Sequence, residues 1–165
     1  MASATRNLRV LQEIISHLKG HDAKVTGAIY FHKITDKRIT GTTKFNLDIF
    51  QAICGEAFYP RIACVTTMWN HIRPDKMLQY RRIGDELREH GLKFNGNSVT
   101  VFDLQGSDLD VYFEVLRHFA RFARGNHRPL QLEKEARDPK RKGVKKTMAG
   151  REVMKRVNTG FCVIL

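Results

Sequence analysis

Ile62-Ala63-Cys64-Val65-Thr66-Thr67 is a short apolar run with no polar residue at alternate positions until its end. A strand with one wet face alternates apolar and polar side chains. A run of this kind belongs to a strand covered on both faces, as in a parallel sheet with helices on either side. Val25-Thr26-Gly27-Ala28-Ile29-Tyr30-Phe31 reads the same way, and Val99-Thr100-Val101-Phe102 is a third candidate strand.

Helical patterns lie between these runs. Leu8, Leu11, Ile14, Ile15 and Leu18 recur at helical spacing over about 5–19, with Gly20 as a stop. Phe45, Leu47, Ile49, Phe50 and Ile53 give a stripe over about 42–54, ended by Gly55. Pro74 opens a third helix, which Met77, Leu78, Ile83 and Leu87 carry to about His90. A fourth spans about 108–124, where Ser107 and Asp110 make a weak capping signal. The order α-β-α-β-α-β-α predicts an α/β fold with a parallel sheet, helices on both faces and right-handed crossovers. Three strands are few for such a sheet, so an edge is expected to need a protein partner or a cover.

Lys and Arg total 29 against 17 for Asp and Glu, a formal net charge of +12. That charge favours anionic partners: phosphates, acidic headgroups or nucleic acid. Cys54 and Cys64 lie in apolar segments and read as reduced core thiols, and no cysteine or histidine spacing fits a zinc site. No signal peptide is expected at the start, and no apolar stretch approaches the ~18 residues of a membrane span. From about Asn126 the apolar residues thin out. Between residues 140 and 156, Lys140, Arg141, Lys142, Lys145, Lys146, Arg151, Lys155 and Arg156 face one acid, Glu152. The expected organisation is an α/β domain over 1–125 and a disordered basic tail over 126–165.

Three motifs carry a family resemblance: the stretch from Gly27 to Arg38, Phe50-Gln51-Ala52-Ile53-Cys54-Gly55, and Val65-Thr66-Thr67-Met68-Trp69. In this order, across about 7–120, they resemble the second half of the fungal G-domain-containing proteins, a group of P-loop GTPase-like proteins. The resemblance implies a partial three-layer sheet, the base-recognition half of a P-loop NTPase-like fold. It also marks departures. The Gly-x-x-x-x-Gly-Lys-Ser/Thr loop that cradles phosphates and holds magnesium through its hydroxyl is not found. The Asp-x-x-Gly switch turn would precede residue 1. Where the family's guanine reader would stand, the chain has Thr66-Thr67-Met68-Trp69-Asn70, without a carboxylate. The resemblance thus implies weak nucleotide contacts at Thr66, Thr67, Trp69 and Asn70, and no catalytic residue. GTP and magnesium enter only if a partner or an upstream segment supplies the loop, because positioning and charge stabilisation do nearly all the work in phosphoryl transfer.

Other residues have two readings. His32, Asp36 and Arg38 follow a strand's carboxyl end, where open α/β sheets place ligands; they also suit the capping of the next turn. Trp69 either stacks on a base or packs over the sheet edge.

Cys162-Val163-Ile164-Leu165 has the form of a prenylation signal, with a final Leu that favours geranylgeranyl. The basic residues upstream supply the second signal that a single lipid chain needs. The expectation is therefore a non-catalytic, degenerate or truncated GTP-binding-type domain on a cytoplasmic membrane face. It would be held through Cys162 and through Lys140, Arg141, Lys142, Lys145, Lys146, Lys155 and Arg156. The alternatives are a nucleic-acid-binding, nuclear protein, or a fragment of a complete GTPase.

Overall fold

The computed structural model describes residues 2–20, 25–36, 41–86, 93–94, 97–106, 109–125, 127–141 and 143–158. Arg38, Lys142 and Cys162 lie outside them, and the Arg156 side chain is likewise not described. The chain forms two compact units. One comprises Thr26–Ile39 and Glu56–His127; the other comprises Met1–Val25, Thr40–Gly55 and Arg128–Leu165.

The first unit is α/β. Strands β1 (Ala28–Lys33) and β2 (Ile62–Thr67) are parallel, in a register that pairs Ala28 with Ile62 and His32 with Thr66. A short hairpin, β3 (Lys93–Phe94) and β4 (Asn97–Ser98), escapes the apolar-run reading because its sequence carries no such run. Strand β5 (Thr100–Asp103) then runs parallel to β2 on its other side, giving the order β1-β2-β5. Residues 62–66 are all buried, as a central strand without alternation requires. The edge strand β1 is different: Ile29 and Phe31 stand exposed on one face, while His32 is buried.

Around the sheet, Pro74 opens a short 3-10 turn (Pro74–Lys76) that leads into α3 (Met77–Glu86). Met77, Tyr80 and Ile83 of this segment pack on the buried Ile34, Trp69 and Ile72. Helix α4 (Leu109–Ala123) buries Val115 and His118. Phe102, Phe119 and Phe122 present ring edges to His118 at centroid distances of 5.1 to 5.9 Å.

The second unit is helical, and it corrects the expectation of a disordered tail after residue 125. Helices α1 (Ala2–Gly20) and α2 (Gly41–Cys54) come from the first third of the chain. Helices α5 (Gln131–Arg137) and α6 (Met148–Asn158) come from the basic C-terminal stretch. Leu11, Ile15 and Ala52 form one core with Leu132, Ala149 and Val153, the last three having no exposed surface. In α6, Ala149 and Val153 are four residues apart and so share one face, which is enough to seat a helix whose other faces are charged. Gly150 sits on that helix where a Cβ would run into the carbonyl of Val144, so the 3-10 turn Val144–Lys146 lies directly against α6. Gly55, at positive φ, ends α2 with its N–H donating to Gln51 O at 2.8 Å.

Candidate functional site

Two regions hold the residues that the sequence singles out. At the carboxyl end of the sheet, the register sets His32, Thr66 and Asp103 side by side across the three strands. Residues in one row of a parallel sheet point to the same face. The Thr66 hydroxyl donates to Asp103 Oδ1 at 2.6 Å and accepts from the indole Nε1 of Trp69 at 2.9 Å. The turn is made by Met68, whose φ of 68° and ψ of 22° are left-handed. That conformation costs a non-glycine residue on the order of 1 kcal/mol. It reverses the chain directly after β2, and the Trp69 ring is then 3% exposed beside Ile34 and Ile72.

Thr66 is wholly buried and Thr67 half-buried, its hydroxyl donating to His32 O at 3.4 Å. Asn70 is exposed. His32 is 2% exposed, and its Nε2 has no hydrogen-bond partner among the described residues. Burial lowers its pKa, and the Asp36 carboxylate and a backbone hydrogen bond at Asp36 pull the other way. Asp36 itself is exposed and closes a turn through its N–H to Lys33 O. The structure thus joins Thr66 and Trp69 in one hydrogen-bonded set and leaves Asn70 on the surface. Asp103 was missed by the sequence reading; its signal was a polar residue ending an apolar run, as His32 and Thr66 do for theirs. Burial pushes the Cys64 and Cys54 thiols up to about 12, so both are held as unreactive thiols.

The second region is the basic segment, organised by a buried acid. Glu135 is 3% exposed. It accepts from the Arg141 guanidinium and from Gln131 Nε2, and its Oε2 takes the N–H of Met148 at 2.8 Å. A carboxylate on the first N–H of α6 satisfies an open donor and favours the helix dipole. Glu133, also buried, pairs with Arg137 at 3.0 Å. Neither acid was singled out from sequence. Arg141, read as a membrane cation, is committed to Glu135 and Asp138. Lys140, Lys145, Lys146, Arg151 and Lys155 are exposed. Lys155 reaches Glu152 in a surface pair that contributes little. A cleft of about 250 Å³ in this unit has Ile15, Ala136 and Val144 in its lining beside Lys19, Arg137 and Arg141. Among the described residues no cluster of His, Cys, Asp and Glu has the form of a metal site, and no helix is long and apolar enough to cross a membrane.

Comparisons with protein-family models, with curated proteins and with solved structures found no match to this chain.

Proposed function

We propose that this chain is a GTPase-like α/β domain without its phosphate cradle, catalytically silent by itself, attached to a cytoplasmic membrane face. A prenyl group on Cys162 and the cations of the C-terminal helical segment make the attachment. The observation that carries the reading is the conjunction of the two. Exposed Lys140, Lys145, Lys146, Arg151 and Lys155 lie on a folded unit. Its last helix ends at Asn158, directly upstream of Thr159-Gly160-Phe161-Cys162. A chain of that length reaches at most ~14 Å, so cations on α6 stay close to a membrane that holds the lipid. One prenyl chain alone gives marginal, reversible binding. Each Lys or Arg near an anionic leaflet adds about 1 kcal/mol.

The residues at the carboxyl end of the sheet do not fit a guanine nucleotide. The indole that would stack on a base is inside the protein, and the Thr66 hydroxyl already serves Trp69 and Asp103. The outer side of β1, which pairs with no other strand among the described residues, supports a protein partner at the sheet edge.

Flotation of the full, unlipidated chain with vesicles tests the electrostatic half. Binding is expected to anionic vesicles and not to neutral ones, and to weaken as salt rises. Lys145→Glu with Lys146→Glu should reduce it by roughly tenfold or more. Failure to bind anionic vesicles, with steep salt-dependent binding to duplex DNA, would replace this reading with nucleic-acid binding.

A further inference from the structure

Helix α4 has two apolar faces. One carries Val115 and His118 into its own unit. The other carries Leu109 (67% exposed), Tyr112 (47%), Phe113 (58%) and Leu116 (63%), with the exposed Ala120 and Ala123 in line behind them. At 100° per residue these six positions fall within one stripe about 100° wide. Single exposed apolar residues mean nothing, but a stripe of this kind along four turns marks an interaction surface.

The stripe is ordered across its width. Leu109, Leu116 and Ala120 lie along its middle, with Tyr112 at one margin and Phe113 at the other. Past Phe113 the first charged positions are Arg124, just beyond the helix end, and Arg117, about 20° and 40° further round. Asp110, Arg121 and Glu114 come after them, about 60° to 100° past Phe113. The acids thus point away from the stripe, and two guanidinium groups border it. An apolar middle with a phenol at one margin and guanidinium groups at the other is the cross-section of a helix lying in the plane of a bilayer surface. Tyrosine keeps its hydroxyl in water while its ring is buried. Arginine lays its stem along apolar surface and lifts its head to the phosphates.

Area points the same way. Four large side chains at these exposures offer on the order of 400 Å² together, about half of what each partner buries in a specific protein interface. A lipid surface sets no such threshold, because attraction grows with each apolar side chain inserted and each cation at the headgroups.

We propose that α4 is a lipid-surface helix: its stripe from Leu109 to Ala123 enters the headgroup–acyl boundary of an anionic leaflet, with Arg117 and Arg124 at the lipid phosphates. This deepens the membrane reading above and rests on it for the choice of an anionic leaflet. The contact itself needs neither a lipid on Cys162 nor Lys145 and Lys146.

The full, unlipidated chain with Cys162→Ser and Leu116→Cys, labelled at residue 116 with an environment-sensitive fluorophore, tests it. Cys54 and Cys64 are buried and stay unlabelled. With phosphatidylcholine vesicles containing phosphatidylserine, the label is expected to shift to the blue and to be quenched by lipids brominated in their acyl chains. A label at Glu114→Cys, about 150° round the helix from the middle of the stripe, stays in water. Without label, Leu116→Gln and Phe113→Gln should each weaken vesicle binding roughly tenfold or more, and Arg117→Gln about fivefold, with the circular dichroism unchanged. A chain that binds these vesicles through Lys145 and Lys146 while residue 116 stays in water overturns the α4 contact and leaves the electrostatic reading standing. Insertion of residue 116 that Lys145→Glu with Lys146→Glu leaves unchanged supports the α4 contact and removes those lysines from the attachment. A chain that binds no anionic vesicle overturns both. If Leu116→Gln then alters its sedimentation, the stripe is a protein contact and lipid is excluded.

Discussion

The carboxyl end of the sheet and the basic C-terminal segment are both rich in polar side chains, and they use them in opposite directions. At the sheet, Thr66, Trp69 and Asp103 turn inward and bond to one another, so the strand ends are closed by the protein's own groups. In the C-terminal segment, two acids, Glu133 and Glu135, turn inward, while Lys140, Lys145, Lys146, Arg151 and Lys155 turn outward. Polarity in a sequence therefore does not locate a binding surface. What counts is which polar groups have already found partners. Of these two regions, the C-terminal segment is the one that turns charge toward solvent.

The contrast can be broken most severely at Leu132, which has no exposed surface and lies in the core shared by α1, α2 and α6. Leu132→Ala should cost about 2–5 kcal/mol, read by chemical denaturation followed by far-ultraviolet circular dichroism. A cost below ~0.5 kcal/mol would return the segment to the status of a tail. Glu135→Ala comes next. It strips an acceptor from Arg141 and from the N–H of Met148. A loss of about 1.5–3 kcal/mol is expected from the lost hydrogen bonds to a charged group, since the part-exposed Arg141 keeps Asp138 and water.

Thr66→Val is smaller. It keeps the shape but leaves the indole N–H buried without its acceptor, at about 1–3 kcal/mol. Trp69 is the single tryptophan, so its fluorescence reports this site alone. An unchanged emission and an unchanged midpoint would mean that the ring is not held by Thr66.

The smallest effect is acid sensitivity. Burial favours the neutral ring of both His32 and His118 and holds their pKa values below the ordinary 6.5. Nearby Arg121 adds to the effect at His118. Below about pH 6.5 the unfolded chain binds more protons than the folded one. This contribution to stability is thus fully present above that pH and is lost as pH falls toward the folded pKa values. His118→Phe should remove roughly half of the loss in melting temperature between pH 7 and 5. An unaltered pH slope would assign the acid sensitivity elsewhere.

The sheet was legible because a strand covered on both faces needs a continuous apolar run, and 62–67 supplies one without help from the rest of the chain. The helices α1, α2 and α4 declared themselves by their own periodicity. α5 and α6 did not. Leu132, Ala149 and Val153 are too few to mark an amphipathic helix by themselves. Their meaning depends on Leu11, Ile15 and Ala52, far away in sequence, which supply the other side of the core. The site was half legible. Thr66 and Trp69 were singled out as nucleotide contacts, but the hydrogen bonds that turn them inward depend on Asp103 and on the left-handed Met68, neither of which periodicity reveals.

The intact mass of the protein purified from eukaryotic cells, for wild type and Cys162→Ser, tests membrane attachment most directly. The wild type is expected to have lost Val163-Ile164-Leu165 and gained one isoprenoid, with neither change in the mutant. An unmodified Cys162 in the wild type would contradict the lipid anchor and leave the exposed cations of the helical unit to a different anionic partner.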